Sequence, residues 1–257
     1  MLDNDLPGER AKMTNNTDDC VVELDFGLTV VPSCSSVNVS VQSTETLAIW
    51  GMIEQLLVPS GIAGDFLITD IKVGKDSQFI GPGCLPAAVF STDAIPELLS
   101  GYDLLRANQL VVLSVTNQAA QERTFSAILR CLSIGKKVWL KRNNMVGFGS
   151  TLVPGGGSAR IHSQVTVPFR PERIIVPTSS WGSFEVVSLI AGSLSSNGAE
   201  RVEPAQGSSF AETSPGLVEF KNTIPAGGWL TIFVKNVSNR AANFQGAVAG
   251  RVEQRTE

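Results

Sequence analysis

The chain has 257 residues, is 43% hydrophobic but only 17% charged, and carries a formal net charge of −4. Charged residues fall well short of the roughly 25% of an average soluble chain. An acidic chain is not a free-standing nucleic-acid binder, and no apolar run approaches the ~20 residues that a membrane helix needs.

Residues 1–19 mix acids, bases and polar residues without an apolar segment. They read as a flexible N-terminal arm and not as a secretory signal. A first β-domain is expected over residues 20–131. It opens on Phe26-Gly27-Leu28-Thr29-Val30-Val31-Pro32, and Val37 to Val41 then alternates apolar and polar residues as a half-buried strand does. Leu57-Val58-Pro59-Ser60 leads into the strong run Phe66 to Val73, which Gly74 ends. Ser91 to Leu105, with Pro96 at an early position, is the best candidate for a helical turn. The run Leu110 to Thr116, a turn at Asn117-Gln118-Ala119-Ala120, and the run Phe125 to Leu129 complete the domain.

Residues 132–147 read as a basic connector. They hold Lys136, Lys137, Lys141 and Arg142 and no acid, whereas residues 1–131 sum to −9 and residues 148–257 to +1. These four cations are the expected point of any membrane or genome contact.

The second domain, residues 148–257, repeats the first. Phe26 to Ser36 returns as Phe148 to Ser158, with six of eleven positions identical. Pro59, Gly64, Phe66 and Gly74 return as Pro177, Gly182, Phe184 and Gly192. Val115, Asn117 and Phe125 return as Val234, Asn236 and Phe244. Two tandem copies of one β-domain are the organising fact. Seven or eight short strands per copy, frequent turns and no alternation of helices with strands predict an all-β chain of two homologous antiparallel sandwiches. Jelly roll is preferred to an immunoglobulin-like sandwich, which would need its Cys…Trp…Cys arrangement.

The repeated positions carry apolar residues, Gly, Pro and small polar residues, so no catalytic, cofactor-binding or metal-ligating residue is assigned and no enzymatic activity is expected. The lone histidine, His162, stands in an alternating stretch without a G-x-S-x-G elbow. Gly155-Gly156-Gly157-Ser158 lacks the lysine of a phosphate loop and precedes a strand. Asp65, Asp70 and Asp76 cluster in the first copy, and Asp70 and Asp76 are placed to meet at a sheet end. The second copy has Ser183, Ser188 and Leu194 there, so a calcium site would not be shared. Cys20, Cys34, Cys84 and Cys131 all lie in the first half, which makes free, mostly buried thiols the expectation. Among the tryptophans, Trp229 aligns with Leu110 and is assigned to the core, and Trp181 to a loop surface.

The duplicated pattern Phe-Gly-x-Thr-x-Val-Pro, then Val-Pro, then Phe followed eight positions on by Gly, then a Val-x-Asn strand end, resembles the tandem jelly-roll major capsid proteins of icosahedral, often membrane-containing bacteriophages. The resemblance spans residues 26–251 at the level of architecture. It implies two barrels side by side in one chain, three chains forming a pseudo-hexameric capsomer, other capsid proteins as partners, and a place in the virion. The alternative is a two-domain binding module, such as a decoration, spike or lectin-like protein, with Trp181 and Tyr102 as its first exposed aromatics.

Overall fold

The computed structural model describes residues 20–43, 50–95, 99, 102–134, 142–192, 200–201, 204–216, 218, 220 and 223–252. The first half comprises β1 (Cys20–Asp25), β2 (Thr29–Val31), β3 (Ser36–Gln42), β4 (Trp50–Leu57), a single turn α1 (Ser60–Ala63), β5 (Phe66–Val73), β6 (Asp76–Ser77), β7 (Leu85–Pro86), a three-ten turn (Ala87–Phe90), β8 (Leu110–Asn117), β9 (Arg123–Phe125) and β10 (Ile128–Ile134). The second half runs β11 (Arg142–Val153), β12 (Ser158–Gln164), β13 (Phe169–Ile175), α2 (Thr178–Trp181), β14 (Phe184–Ala191), β15 (Glu200–Arg201), β16 (Ala205–Gln206), a three-ten turn (Gly207–Phe210), β17 (Trp229–Asn236) and β18 (Ala242–Val252).

Each half is an antiparallel sandwich of two main sheets, to which the first half adds the separate pair β2-β9. In the first, one sheet has the order β1-β10-β4, extended by a bridge from Gly51 to Leu105, and the other the order β3-β8-β5, with β6 and β7 both on β5. In the second, β11-β18-β13 is extended by a bridge from Phe169 to Ile224, and β12-β17-β14 carries β15 and β16. Counted along the chain as eight strands, these are the 1-8-3-6 and 2-7-4-5 sheets of a jelly roll. The strand order therefore decides the topology that composition left between two sandwiches.

The halves also repeat each other's irregularities. The ladder to β4 skips Glu54 and the ladder to β13 skips Glu172. The ladder to β5 skips Thr69 and the ladder to β14 skips Val187. Bulges re-aim the side chains that follow them, so matching bulges give both halves the same inward face. That face holds a matching aromatic pair in each core, with ring centroids 5.1 Å apart for Phe66 and Phe125 and 5.3 Å apart for Phe184 and Phe244, both edge to face.

Three sequence expectations change. The connector expected at 132–147 is shorter, because Leu132 to Ile134 continue β10 and Arg142 to Gly147 open β11. Only residues 135–141 lie between strands. They are outside the described residues, as is the arm at 1–19, so the expectations for Lys136, Lys137 and Lys141 fall there. The helical turn forms at Ala87–Phe90, before the expected stretch, where four consecutive apolar residues are buried. Pro96 to Leu98 are outside the described residues. Trp229 is not a core residue: its place at the start of β17 points it outward, 45% exposed, as Leu110 is at 46%.

Candidate assembly interface

The two jelly rolls are joined side by side by a corner of the first and a sheet face of the second. The corner is the segment Gln78 to Ala88, with β7 at its centre. The face is the outer side of β11, β18 and β13. Alternation decides what that face shows: Phe148, Ile174, Phe244 and Val248 point into the second core, so Met145, Ile175, Ala247 and Ala249 point out and join the core of the first jelly roll. In return, Ile80 of the first half packs into the second core.

Backbones meet at the centre of this junction. A Cβ placed on Gly83 would lie 1.9 Å from Gly147 O, and one placed on Gly147 would lie 2.1 Å from Cys84 O. No other residue type fits at either place. Around this contact, Gly149 N donates to Cys84 O (3.3 Å), and Thr166 donates its N–H (2.8 Å) and its hydroxyl (3.0 Å) to Ile80 O. A second polar seam lies beside the apolar one. Ile95 N donates to Glu212 O (2.9 Å), and the buried Arg173 guanidinium donates to Glu212 O and Ser214 O, each at 2.8 Å. The Glu212 carboxylate turns back to accept from Thr178 N (2.7 Å) and the Thr178 hydroxyl. A cleft of about 450 Å³ opens where the halves part, lined by Asp70, Ser77, Phe79, Pro82, Gln164 and Thr166 among others.

The structure disperses the acidic cluster. Asp65 pairs with Arg123 (3.0 Å) at one end of β5, whereas Asp70 accepts from the Ser77 hydroxyl (2.6 Å) and lies 3.6 Å from Lys72 toward the other. Asp70 is five residues further along the chain than Asp65, roughly 17 Å along the strand. Asp76 sits opposite Val73 in the β5–β6 ladder and is exposed. Among the described residues no three His, Cys, Asp or Glu side chains gather as a metal group. His162 is exposed on β12, hydrogen-bonded through Nδ1 to the Thr231 hydroxyl (2.9 Å).

Of the aromatics expected at the surface, Tyr102 is buried at 4% exposure, its hydroxyl without a hydrogen-bond partner and its pKa pushed up by burial and then by Asp70. The leucines at 99 and 105, both fully buried, hold its segment against the first core. Trp181 is half-buried and packs on the second core. The cysteines whose side chains are described, Cys34, Cys84 and Cys131, are free thiols, exposed, half-buried and buried respectively. Burial, then the Glu54 carboxylate, pushes the Cys131 thiol up to about 12.

The sequence reading missed Gly83, Gly147, Met145 and Arg173, yet a signal for the face was present. At outward positions the two copies differ: the charged Glu23, Asp25 and Arg130 of the first stand where Met145, Gly147 and Ala249 stand in the second, and Ile128 where the smaller Ala247 stands. The corner differs the opposite way, with Leu85 and Ala88 in the first against Ala205 and Ser208 in the second. Positions that turn small and apolar in one copy only are those that the junction covers.

No protein-family model matches this chain, and no curated protein does. Among solved structures, the chain is similar to the major capsid protein P2 from Bacteriophage PM2, at 10% identity and a TM-score of 0.34, over 93% of this chain and 100% of that one. A superposition that loose carries no weight for fold or role.

Proposed function

We propose that this protein is a structural subunit that assembles with copies of itself into a shell, as the major capsid protein of an icosahedral bacteriophage does. In this reading three chains form a capsomer of six jelly rolls within a virion, where other capsid proteins are its partners. The observation that carries the reading is the junction. Two like sandwiches are welded by an interlocked contact with Met145, Ile175, Ala247 and Ala249 on one side and Leu85 and Ala88 on the other. The chain is thereby a rigid two-lobed tile, and its duplicated residues hold packing roles and not a reaction.

The contact is heterologous, corner against face, so it leaves one of each open. The open corner belongs to the second jelly roll, with Gln206 and Ser209 exposed and Ser208 half-buried. The open face belongs to the first, with Val21 and Glu23 exposed, Arg130 bonded to Glu23 (2.8 Å) and Gln55 within 3.3 Å of Arg130. Both carry polar or charged side chains, with Val21 exposed among them on the face, unlike the apolar buried pair. Polar contacts between copies favour specific, salt-sensitive association over permanent burial.

Light scattering after size exclusion tests the reading. The expected result is a trimer or larger assembly at moderate salt that loosens as salt rises. A protein that stays monomeric at high concentration overturns it.

A further inference from the structure

We propose that the outer face of β12 and β17 binds single-stranded nucleic acid, a role separate from shell assembly. Four cross-strand rows make up this face: Gln164 opposite Trp229, His162 opposite Thr231, Arg160 opposite Phe233, and Ser158 opposite Lys235. Their side chains lie on the side of the sheet away from the core, to which Ile161, Leu230, Ile232 and Val234 belong, with Thr231 covered at 1% exposure and Phe233 half-buried among the exposed side chains. The rows thus run from an aromatic end to a cationic end, and neither strand contains an acid. On the third strand, Glu185 stands opposite Lys235 and bounds the cationic end on that side.

The planar groups are already arranged for stacking. The Arg160 guanidinium lies over the Phe233 ring, 5.2 Å from its centroid. The His162 ring stands edge to face with Trp229 at 6.1 Å. Trp229 and Phe233 are four residues apart on one strand, roughly 13 Å along it. Single-stranded nucleic acids are held by such surfaces: aromatic planes take bases without regard to sequence, and Arg or Lys track the backbone. Trp229 is 45% exposed at the aromatic end of the face, within reach of an incoming base.

The first jelly roll supplies the control within the same molecule. Its equivalent rows, in the same register, are Gln42 opposite Leu110, Ser40 opposite Val112, Asn38 opposite Ser114, and Ser36 opposite Thr116. There the side chains satisfy one another, Ser114 with Asn38 and Ser36 with Thr116, each at 2.7 Å. That face has neither ring nor charge on β3 and β8. The net charge that speaks against nucleic-acid binding is that of the chain as a whole, whose acidity resides in residues 1–131 at −9, whereas residues 148–257 are near neutral at +1 and this face sets Arg160 and Lys235 against the single acid Glu185.

The test is fluorescence anisotropy of a labelled oligothymidylate titrated with the full chain across a salt series. Binding is expected at low salt, with quenching of tryptophan emission and a log–log salt slope of about −1.4 for two phosphate contacts. Trp229→Ala is expected to weaken binding at least about five-fold while Trp229→Phe retains most of it. Arg160→Ala is expected to flatten the slope by about 0.7. Leu110→Ala, on the equivalent face of the first jelly roll, is expected to change nothing. Circular-dichroism melts confirm that each variant is folded, and all these side chains are at the surface. The proposal is overturned by no binding at low salt, by equal losses for Trp229→Ala and Leu110→Ala, or by heparin competing equally well for wild type and Trp229→Ala. The first outcome leaves the assembly reading untouched, because light scattering alone decides that.

Discussion

Asn117 and Asn236 hold equivalent places and make equivalent bonds in the two jelly rolls. Both are fully buried at the end of a strand. The Asn117 amide donates to Val31 O and Gln121 O, both at 2.9 Å, and its Oδ1 accepts from Ala119 N at 2.8 Å. Asn236 repeats this with Val153 O (2.9 Å), Arg240 O (2.8 Å) and Ser238 N (2.9 Å). One side chain thus ties the first strand of each jelly roll to the turn before its last strand. We predict that Asn117→Ala or Asn236→Ala destabilises the protein by about 2–3 kcal/mol, since several buried backbone groups lose their partner at once. Urea denaturation checks it, and a loss below about 0.5 kcal/mol would refute the role. The sequence reading recognised both asparagines as turn residues but not as braces. Their reach to Val31 and Val153 crosses more than eighty positions, which no local pattern encodes. The reverse holds for backbone strain. Cys34 and Asn108 have φ of +52° and +61°, and their counterparts Gly156 and Gly227 have +67° and +79°. The second copy therefore names, by its glycines, the two places where the first is strained.

Among the elements, the strands were the most legible. Hydrophobic alternation in Val37–Val41 and in the runs beginning at Phe66 and Leu110 reflects one buried face, and burial is what forms these strands. Trp229 was misplaced because alternation gives the period and not which phase faces inward. Periodicity leaves the junction unmarked, and only comparison of the two copies shows it: β11 and β18 are covered on both sides and so lose their alternation, leaving a continuous run from Phe244 to Gly250 in which every residue is buried. The junction also rests on two glycines that meet without a side chain between them. Gly147→Ala is expected to cost about 3 kcal/mol, because the added methyl meets backbone on the opposing jelly roll and not a side chain that can turn aside. Calorimetry is expected to show one unfolding transition for the wild type and two for the variant, with faster hydrogen exchange at residues 80–84. An unchanged melting profile would mean that the halves are not welded there.

At the scale of the whole molecule, duplication was read from identities at fixed offsets, and the jelly-roll order then followed from which strands pair. How copies meet had no such trace, because the surfaces left open have diverged from those that are closed. The position equivalent to Gly147 in the first half is Asp25, and that equivalent to Met145 is Glu23. A fused pair of identical lobes would be adhesive at both extremities, and each molecule would seize the next and grow without limit into fibres. Two carboxylates, where the glued side has a glycine and a methionine, remove that hazard. The triple variant Glu23→Met, Asp25→Gly, Arg130→Ala is therefore expected to form elongated aggregates visible by electron microscopy, whereas wild type does not. The two acidic residues on the open face thus keep copies from repeating the internal junction and leave that face to the weaker, salt-sensitive contact.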